Sequence, residues 1–295
     1  MLFSSFRDRP IASSENPVEL AAEIRQCEQL GETSDKKSIF LYHYRENSSV
    51  MREIGRLREF TFRSVGEGTG LERDLDQYDI DYEHIVLWDD LAGEIVGAYR
   101  IAQTAQLLMR GQCQPALYTQ TLFDFATDFD RYFAKGLELG RSFVQPKYWG
   151  KRSLDYLWFG IGAYLRSRPN VRYLFGPVSI SNTYPIEAKD LLVNYYSTHF
   201  AASNNSVTAR TPYEGNGSTV LADFRALKSA LASLGVTVPK LYKQYTEVCD
   251  PGGVQFFDFN VDQDFGDCID GLILVDLTYL KSSKRRRYLA DSLAA

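Results

Sequence analysis

The stretch Gly136–Val144, Gly-Leu-Glu-Leu-Gly-Arg-Ser-Phe-Val, constrains this chain most: it reads as a central strand, yet it carries a glutamate and an arginine. A turn containing Gly150 follows it, and then a helix over residues 153–166. Further strand-like runs lie at residues 38–44, 84–88, 94–102, 171–175, 243–249 and 268–275, and residues 89–93 make a hairpin connection. Helical spacing predicts helices over residues 18–30, 49–64, 185–200 and 222–234. Three glycines within residues 65–70 favour a mobile loop, and residues 202–218 read as a Ser/Asn/Gly-rich loop. The order is mixed α and β without internal repeats. It predicts residues 1–36 as an N-terminal arm or lid, and residues 37–295 as one α+β sheet domain with a helical and loop insertion around 185–240.

Composition narrows the chemistry. A compact chain of 295 residues buries about 75% of the surface its unfolded form exposes, so it needs no disulfide to hold together. Cys27, Cys113, Cys249 and Cys268 are far apart and form no Cys-x-x-Cys pair, which points to a reduced, cytoplasmic protein without a zinc site. The histidines His43, His84 and His199 show no metal-ligand spacing, and His84 reads as a packed or hydrogen-bonded strand residue. Thirty-three basic against 38 acidic residues leave a net charge of −5, which argues against a general nucleic-acid binder. The longest apolar run, residues 156–165, falls short of the roughly 20 residues that a membrane helix needs. Arg7, Asp8, Arg9 and Pro10 leave no apolar core for a secretion signal. An aromatic content of 14% suits a wide core or a lined tunnel.

Four motifs follow one another: Arg58-x-x-x-Phe62, Asp74-x-Asp76-x-x-Asp79, Gly97-x-x-Arg100 and Glu138-x-x-Arg141. In this order they resemble the motifs shared by acyl-homoserine-lactone synthases and the long-chain N-acyltransferases that make N-acyl amino acids, both of the GNAT fold. Residues 138–144 are similar to the central-strand motif of the ornithine-lipid N-acyltransferases. The likeness runs from about residue 41 to residue 277, and residues 243–249 and 270–276 look like the C-terminal half of the amino-acid enzymes. Lactone synthases are usually shorter, so the length of 295 residues tilts the choice away from them.

The resemblance implies a GNAT-like mixed, mostly antiparallel sheet with splayed central strands flanked by helices. It implies transfer of a long-chain acyl group, plain or 3-hydroxylated, from acyl carrier protein to the amine of an amino acid, with ornithine as the leading acceptor and glycine, lysine or another small amine close behind. The alternatives are a lactone-forming synthase using S-adenosylmethionine and a non-catalytic module that binds acyl chains or carrier protein. An α-amino group of pKa about 7.7–8.0 is only about a tenth neutral at pH 7, so a carboxylate that removes its proton during attack is useful. Glu138 is the candidate base, directly or through one water; the competing reading has it pair with an arginine and order the sheet.

On the same resemblance Arg58, Asp74, Asp76, Asp79, Arg100 and Arg141 form a charge network that fixes the loop and shapes the amine pocket. Composition alone favours a solvated loop face for the acidic run. Residues 145–153 occupy the position of the fold's pyrophosphate turn, so Phe143, Val144, Gln145, Gly150, Lys151, Arg152 and Ser153 are the candidate donor-binding residues. Only Gly150 survives of the usual glycine pattern, which fits the single phosphodiester of acyl carrier protein better than the pyrophosphate of coenzyme A, the alternative donor. Tyr184 is a candidate acid for the leaving thiolate. Phe143, Trp149, Leu157, Trp158, Phe159 and Phe175 are expected either to line an acyl cavity or to be plain core. Lys281, Lys284, Arg285, Arg286 and Arg287 form a C-terminal cationic group, read either as a solvated tail or as a docking point for carrier protein or for anionic lipid at the inner membrane face.

Overall fold

The computed structural model describes residues 9–109, 116–217 and 220–290. In chain order its elements are α1 (Pro17–Ile24), β1 (Glu28–Glu32), β2 (Lys37–His43), α2 (Ser49–Arg63), β3 (Glu83–Asp89), β4 (Glu94–Gln103), α3 (Thr104–Leu108), α4 (Thr119–Leu122), β5 (Phe123–Phe125), α5 (Asp130–Phe133), β6 (Gly136–Val144), α6 (Ser153–Arg166), β7 (Tyr173–Ile180), α7 (Ile186–His199), β8 (Val207–Ala209), α8 (Phe224–Ser233), α9 (Lys240–Thr246), β9 (Val254–Asp262), β10 (Cys268–Asp276) and α10 (Ser282–Leu289). The class is α+β, with mixed, mostly antiparallel strands flanked by helices, as expected. The chain folds as two compact units. The first contains residues up to Ile101, Arg141–Arg168 and the residues from Arg287; the second contains Ala102–Gly140 and Pro169–Arg286.

In the first unit β1, β2, β3 and β4 pair antiparallel in that order. The end of β6 joins β4, where Gln145 donates its backbone N–H to Val96 O at 2.9 Å. Gly97 permits that approach: a Cβ there would lie 2.4 Å from the Phe143 carbonyl oxygen. Helix α2 starts at Ser48, whose hydroxyl accepts the Met51 N–H, and it buries Val50, Ile54, Leu57 and Thr61 as its spacing predicts. The helix expected over residues 18–30 stops at Ile24, because residues 28–32 are recruited as β1 on the edge of β2. Strand pairing there overrides a local helical pattern.

In the second unit β6 and β7 run parallel, but their register covers only Gly136↔Tyr173, Leu137↔Leu174 and Glu138↔Phe175. Beyond Phe175, β7 continues against β10, and β10 against β9, both antiparallel. β5 and β8 form a separate two-stranded ladder. The core here is aromatic: Phe256 lies 5.4 Å from Tyr242 and 5.8 Å from Phe259, stacked on both.

Three expectations fail in this unit. Residues 243–249 do not form a strand; residues 240–246 are α9, which starts after Pro239 and buries Tyr242 and Tyr245 one turn apart. β7 does not end at Gly176-Pro177 but runs through them, Pro177 opposite Leu272. A proline is tolerated there because the ladder to β6 has already stopped, which leaves one edge of β7 without strand bonds to break. The loop expected at residues 202–218 contains β8, and its last residue lies outside the described residues.

Candidate active site

All six residues of the expected charge network fall in the first unit, and they meet. α2 supplies Arg58, β4 supplies Arg100, β6 supplies Arg141, and the connection from α2 to β3 supplies Asp74, Asp76 and Asp79. Asp79 is the hub. Its Oδ1 accepts from Arg58 Nη1 at 2.8 Å and from Arg100 Nη1 at 3.2 Å, and lies 3.1 Å from His84 Nε2. Its Oδ2 accepts the Asp76 N–H at 3.0 Å, which closes a capping box over the turn Gln77–Ile80. Asp76 Oδ1 takes Arg100 Nη1 at 2.6 Å. Arg141 reaches Asp74 Oδ2 from Nε at 3.1 Å, and its Nη2 lies 3.9 Å from Asp76 Oδ2.

Burial sets the electrostatics of this cluster. Arg58, His84 and Arg100 are each 0% exposed. Burial pushes the Asp79 carboxyl up, but Arg58, Arg100 and His84 outweigh it and hold its pKa well below the usual carboxylate range. Asp74 behaves oppositely: burial raises its pKa by more than Arg141, Arg58 and Arg100 lower it. Burial also brings the His84 pKa down to about 4, against the pull of Asp79. The imidazole is therefore neutral at pH 7, with Nε2–H assigned as donor to Asp79 from the contact geometry. His84 is the buried, hydrogen-bonded strand residue that the sequence suggested, opposite Arg100 in the β3–β4 register.

Arg141 carries a second cost: its φ of +45° lies in the left-handed region, within a strand. The glycine-rich residues 65–70, expected as a mobile loop, are tied to α2 through the fully buried Glu59. Its carboxylate accepts from Thr69 N and Oγ1 and from Gly70 N, and pairs with Arg63. Glu59 was not legible in the sequence as a functional residue, because a lone acid on an arginine-rich helix carries no pattern.

The candidate donor turn is also in the first unit. Phe143, Gln145 and Ser153 are buried, Val144 is partly covered, and Gly150, Lys151 and Arg152 are exposed, Gly150 with φ +77°. The turn is bonded to the β3–β4 hairpin through Tyr148, whose phenol donates to Glu94 Oε1 at 2.5 Å and to Asp89 Oδ2 at 3.2 Å. Trp149, 41% exposed, donates its indole N–H to Val144 O at 2.7 Å. Lys151 and Arg152 lie over the rings of Tyr148 and Tyr156 at 5.0 and 5.1 Å. Leu157 and Trp158 are buried, and Phe159 is half-buried.

Glu138 belongs to the second unit, so β6 gives one motif residue to each unit. It is 1% exposed, and its Oε1 accepts the backbone N–H of Thr119 at 2.8 Å. Tyr184 is half-buried and donates its phenol to Thr237 O at 2.9 Å. Phe175 is core, packed edge-on against Phe129 at 5.9 Å. Among the C-terminal cations, Lys281 bonds to Glu247 O, Arg285 to Leu277 O and Arg287 to Asp155. Among the described residues no His/Cys/Asp/Glu group is arranged to hold a metal ion, and no helix is long and apolar enough to cross a membrane. Cys113 lies outside the described residues.

Residues 57–159 match the acetyltransferase (GNAT) domain family. The chain is 30% identical over 293 residues to a glycine N-alpha-acyltransferase of Phocaeicola vulgatus, covering 92% of this chain and 89% of that one. It is 33% identical over 122 residues to an L-ornithine N-alpha-acyltransferase of Brucella abortus, covering 39% and 41%. A solved CoA-dependent acyl-homoserine lactone synthase aligns with 86% of this chain and 90% of its own at 10% identity, with a TM-score of 0.41.

Proposed function

The chain belongs to the GNAT amino-acid N-alpha-acyltransferases, and on that premise we propose that it transfers a long-chain acyl group from the phosphopantetheine thioester of acyl carrier protein to the amine of glycine. The acceptor rests on one observation: the similarity to the glycine enzyme runs over 92% of the chain, whereas the similarity to the ornithine enzyme covers 39%. Glycine thus displaces ornithine, the acceptor that the motifs alone favoured. Ornithine stays as the second reading because the shorter match is no weaker in identity, 33% against 30%. A non-catalytic module is set aside, since the full-length relative is an acyltransferase.

The reaction asks for a base beside the amine. Glu138 suits that part: it is 1% exposed, and one of its oxygens is fixed by a backbone N–H. The amine nitrogen attacks the thioester carbonyl, Glu138 takes the ammonium proton, and collapse of the tetrahedral intermediate breaks the C–S bond. The leaving thiolate then needs a proton. Tyr184 would have to release Thr237 to give one, so the reading leans on Glu138 rather than on the phenol. Carrier protein is preferred to coenzyme A as donor because Gly150 alone remains of a glycine-rich phosphate turn.

Purified protein given long-chain acyl carrier protein and either glycine or ornithine should yield N-acylglycine by mass spectrometry. N-acylornithine alone would overturn the acceptor, and a homoserine lactone formed with S-adenosylmethionine would overturn the reaction. Glu138→Gln should lower turnover by about 10²–10⁴, the range for loss of general base catalysis.

A further inference from the structure

Thr119 has a feature that packing does not require. It is 0% exposed, and its backbone N–H goes to Glu138 Oε1 at 2.8 Å, yet its hydroxyl Oγ1 has no hydrogen-bond partner. Its neighbours do better. Tyr118 donates its phenol to Asp262 Oδ2, Gln120 Oε1 accepts the Leu117 N–H, and Thr121 donates to Tyr118 O. A buried hydroxyl without a partner is costly, and a valine would fill the same volume without that cost. The hydroxyl belongs to the same residue whose backbone N–H fixes the Glu138 carboxylate.

We propose that Thr119 orients the acceptor amine: its Oγ1 accepts a hydrogen bond from one amine N–H while Glu138 takes the proton from the same nitrogen. This rests on the reading of Glu138 as the base and extends it to the group that aims the substrate. The step balances: one amine proton moves to the Glu138 carboxylate, the C–N bond forms and the C–S bond breaks. Thr119 exchanges no proton. An amine held by two groups attacks along a fixed line, whereas one held by the carboxylate alone is free to swing about it.

The test is a set of four proteins assayed with glycine and acyl carrier protein: Thr119→Val, Thr119→Ser, Glu138→Gln and the double variant Thr119→Val/Glu138→Gln. Thr119→Val should lose about 10–100-fold in kcat/KM for the amine, with the donor KM unchanged and the melting temperature equal to the parent's or higher. Thr119→Ser, which keeps the hydroxyl, should recover most of the loss. In the Glu138→Gln background Thr119→Val should cost almost nothing more, because groups that act as a unit are not additive. Parental turnover in Thr119→Val beside an inactive Glu138→Gln would overturn the role of Thr119 alone. So would a Thr119→Ser as poor as the valine variant, or losses that simply add. A fully active Glu138→Gln would overturn the base itself, and the orienting role with it.

Discussion

Replacing His84 by glutamine should make the protein less sensitive to acid, by an amount that follows from one buried ring. His84 is 0% exposed, and its pKa lies at about 4 instead of 6.5, with burial the leading cause. The unfolded chain takes up a proton near pH 6.5 that the folded chain refuses until about pH 4, so stability falls as pH drops through that window and this contribution levels off below it. Linkage between these two values gives a loss of about 2 kcal/mol between pH 8 and pH 5. Glutamine can keep an N–H directed at Asp79 Oδ1, which His84 Nε2 meets at 3.1 Å, and it does not titrate. Trp88, Trp149 and Trp158, the only tryptophans, all lie in the unit that contains His84, so urea unfolding followed by tryptophan fluorescence reads the relevant unit. The parent should lose about 2 kcal/mol more than the variant between the two pH values. Equal losses would refute the reasoning, because the remaining acid sensitivity belongs to carboxylates that both proteins share.

Gly97→Ala should destabilise the protein by about 1–3 kcal/mol, since the new Cβ would land 2.4 Å from Phe143 O and the β4–β6 pairing must give way; thermal melting checks it. At Arg141 the order of melting temperatures should be parent, then Arg141→Gly, then Arg141→Met: both variants strip the partner from Asp74, which is 1% exposed, but only glycine also relieves the φ of +45°. Trp149 is the one exposed tryptophan, and it bonds to Val144 in the candidate donor turn. Titration with acyl carrier protein should change tryptophan emission in the parent and leave Trp149→Phe unchanged.

What the sequence disclosed follows the range of the interactions involved. Gly136–Val144 and Ser153–Arg166 were readable to the residue because an apolar strand, a glycine turn and a helix start follow one another locally. The strand β1 was not, because its residues Glu28, Gln29 and Gly31 have little strand propensity and owe their state to the edge of β2. α9 reads as a strand for the reverse reason: tyrosines favour strands in isolation, but Tyr242 fills an aromatic core shared with Tyr196 and Phe256, and Tyr245 is buried one turn later. The six charged residues of the network stand out only through the resemblance to the family's ordered motifs, since composition alone favours a solvated loop face for the acidic run. Glu59 and Thr119 do not, since each is a single polar residue marked only by the buried contacts it makes once the chain has folded.

The network itself argues that stability alone did not choose these residues. Three arginines and three aspartates occupy space that apolar side chains would fill at less cost, since desolvating ions often outweighs their mutual attraction. Arg141 adds backbone strain, and Arg58, 0% exposed, leaves Nε and Nη2 without hydrogen-bond partners. Costs of this kind concentrate where charge has to be held in place. β6 connects them to the chemistry proposed for the chain: within four residues it passes from Glu138, fixed by a backbone N–H, to Arg141, fixed by Asp74.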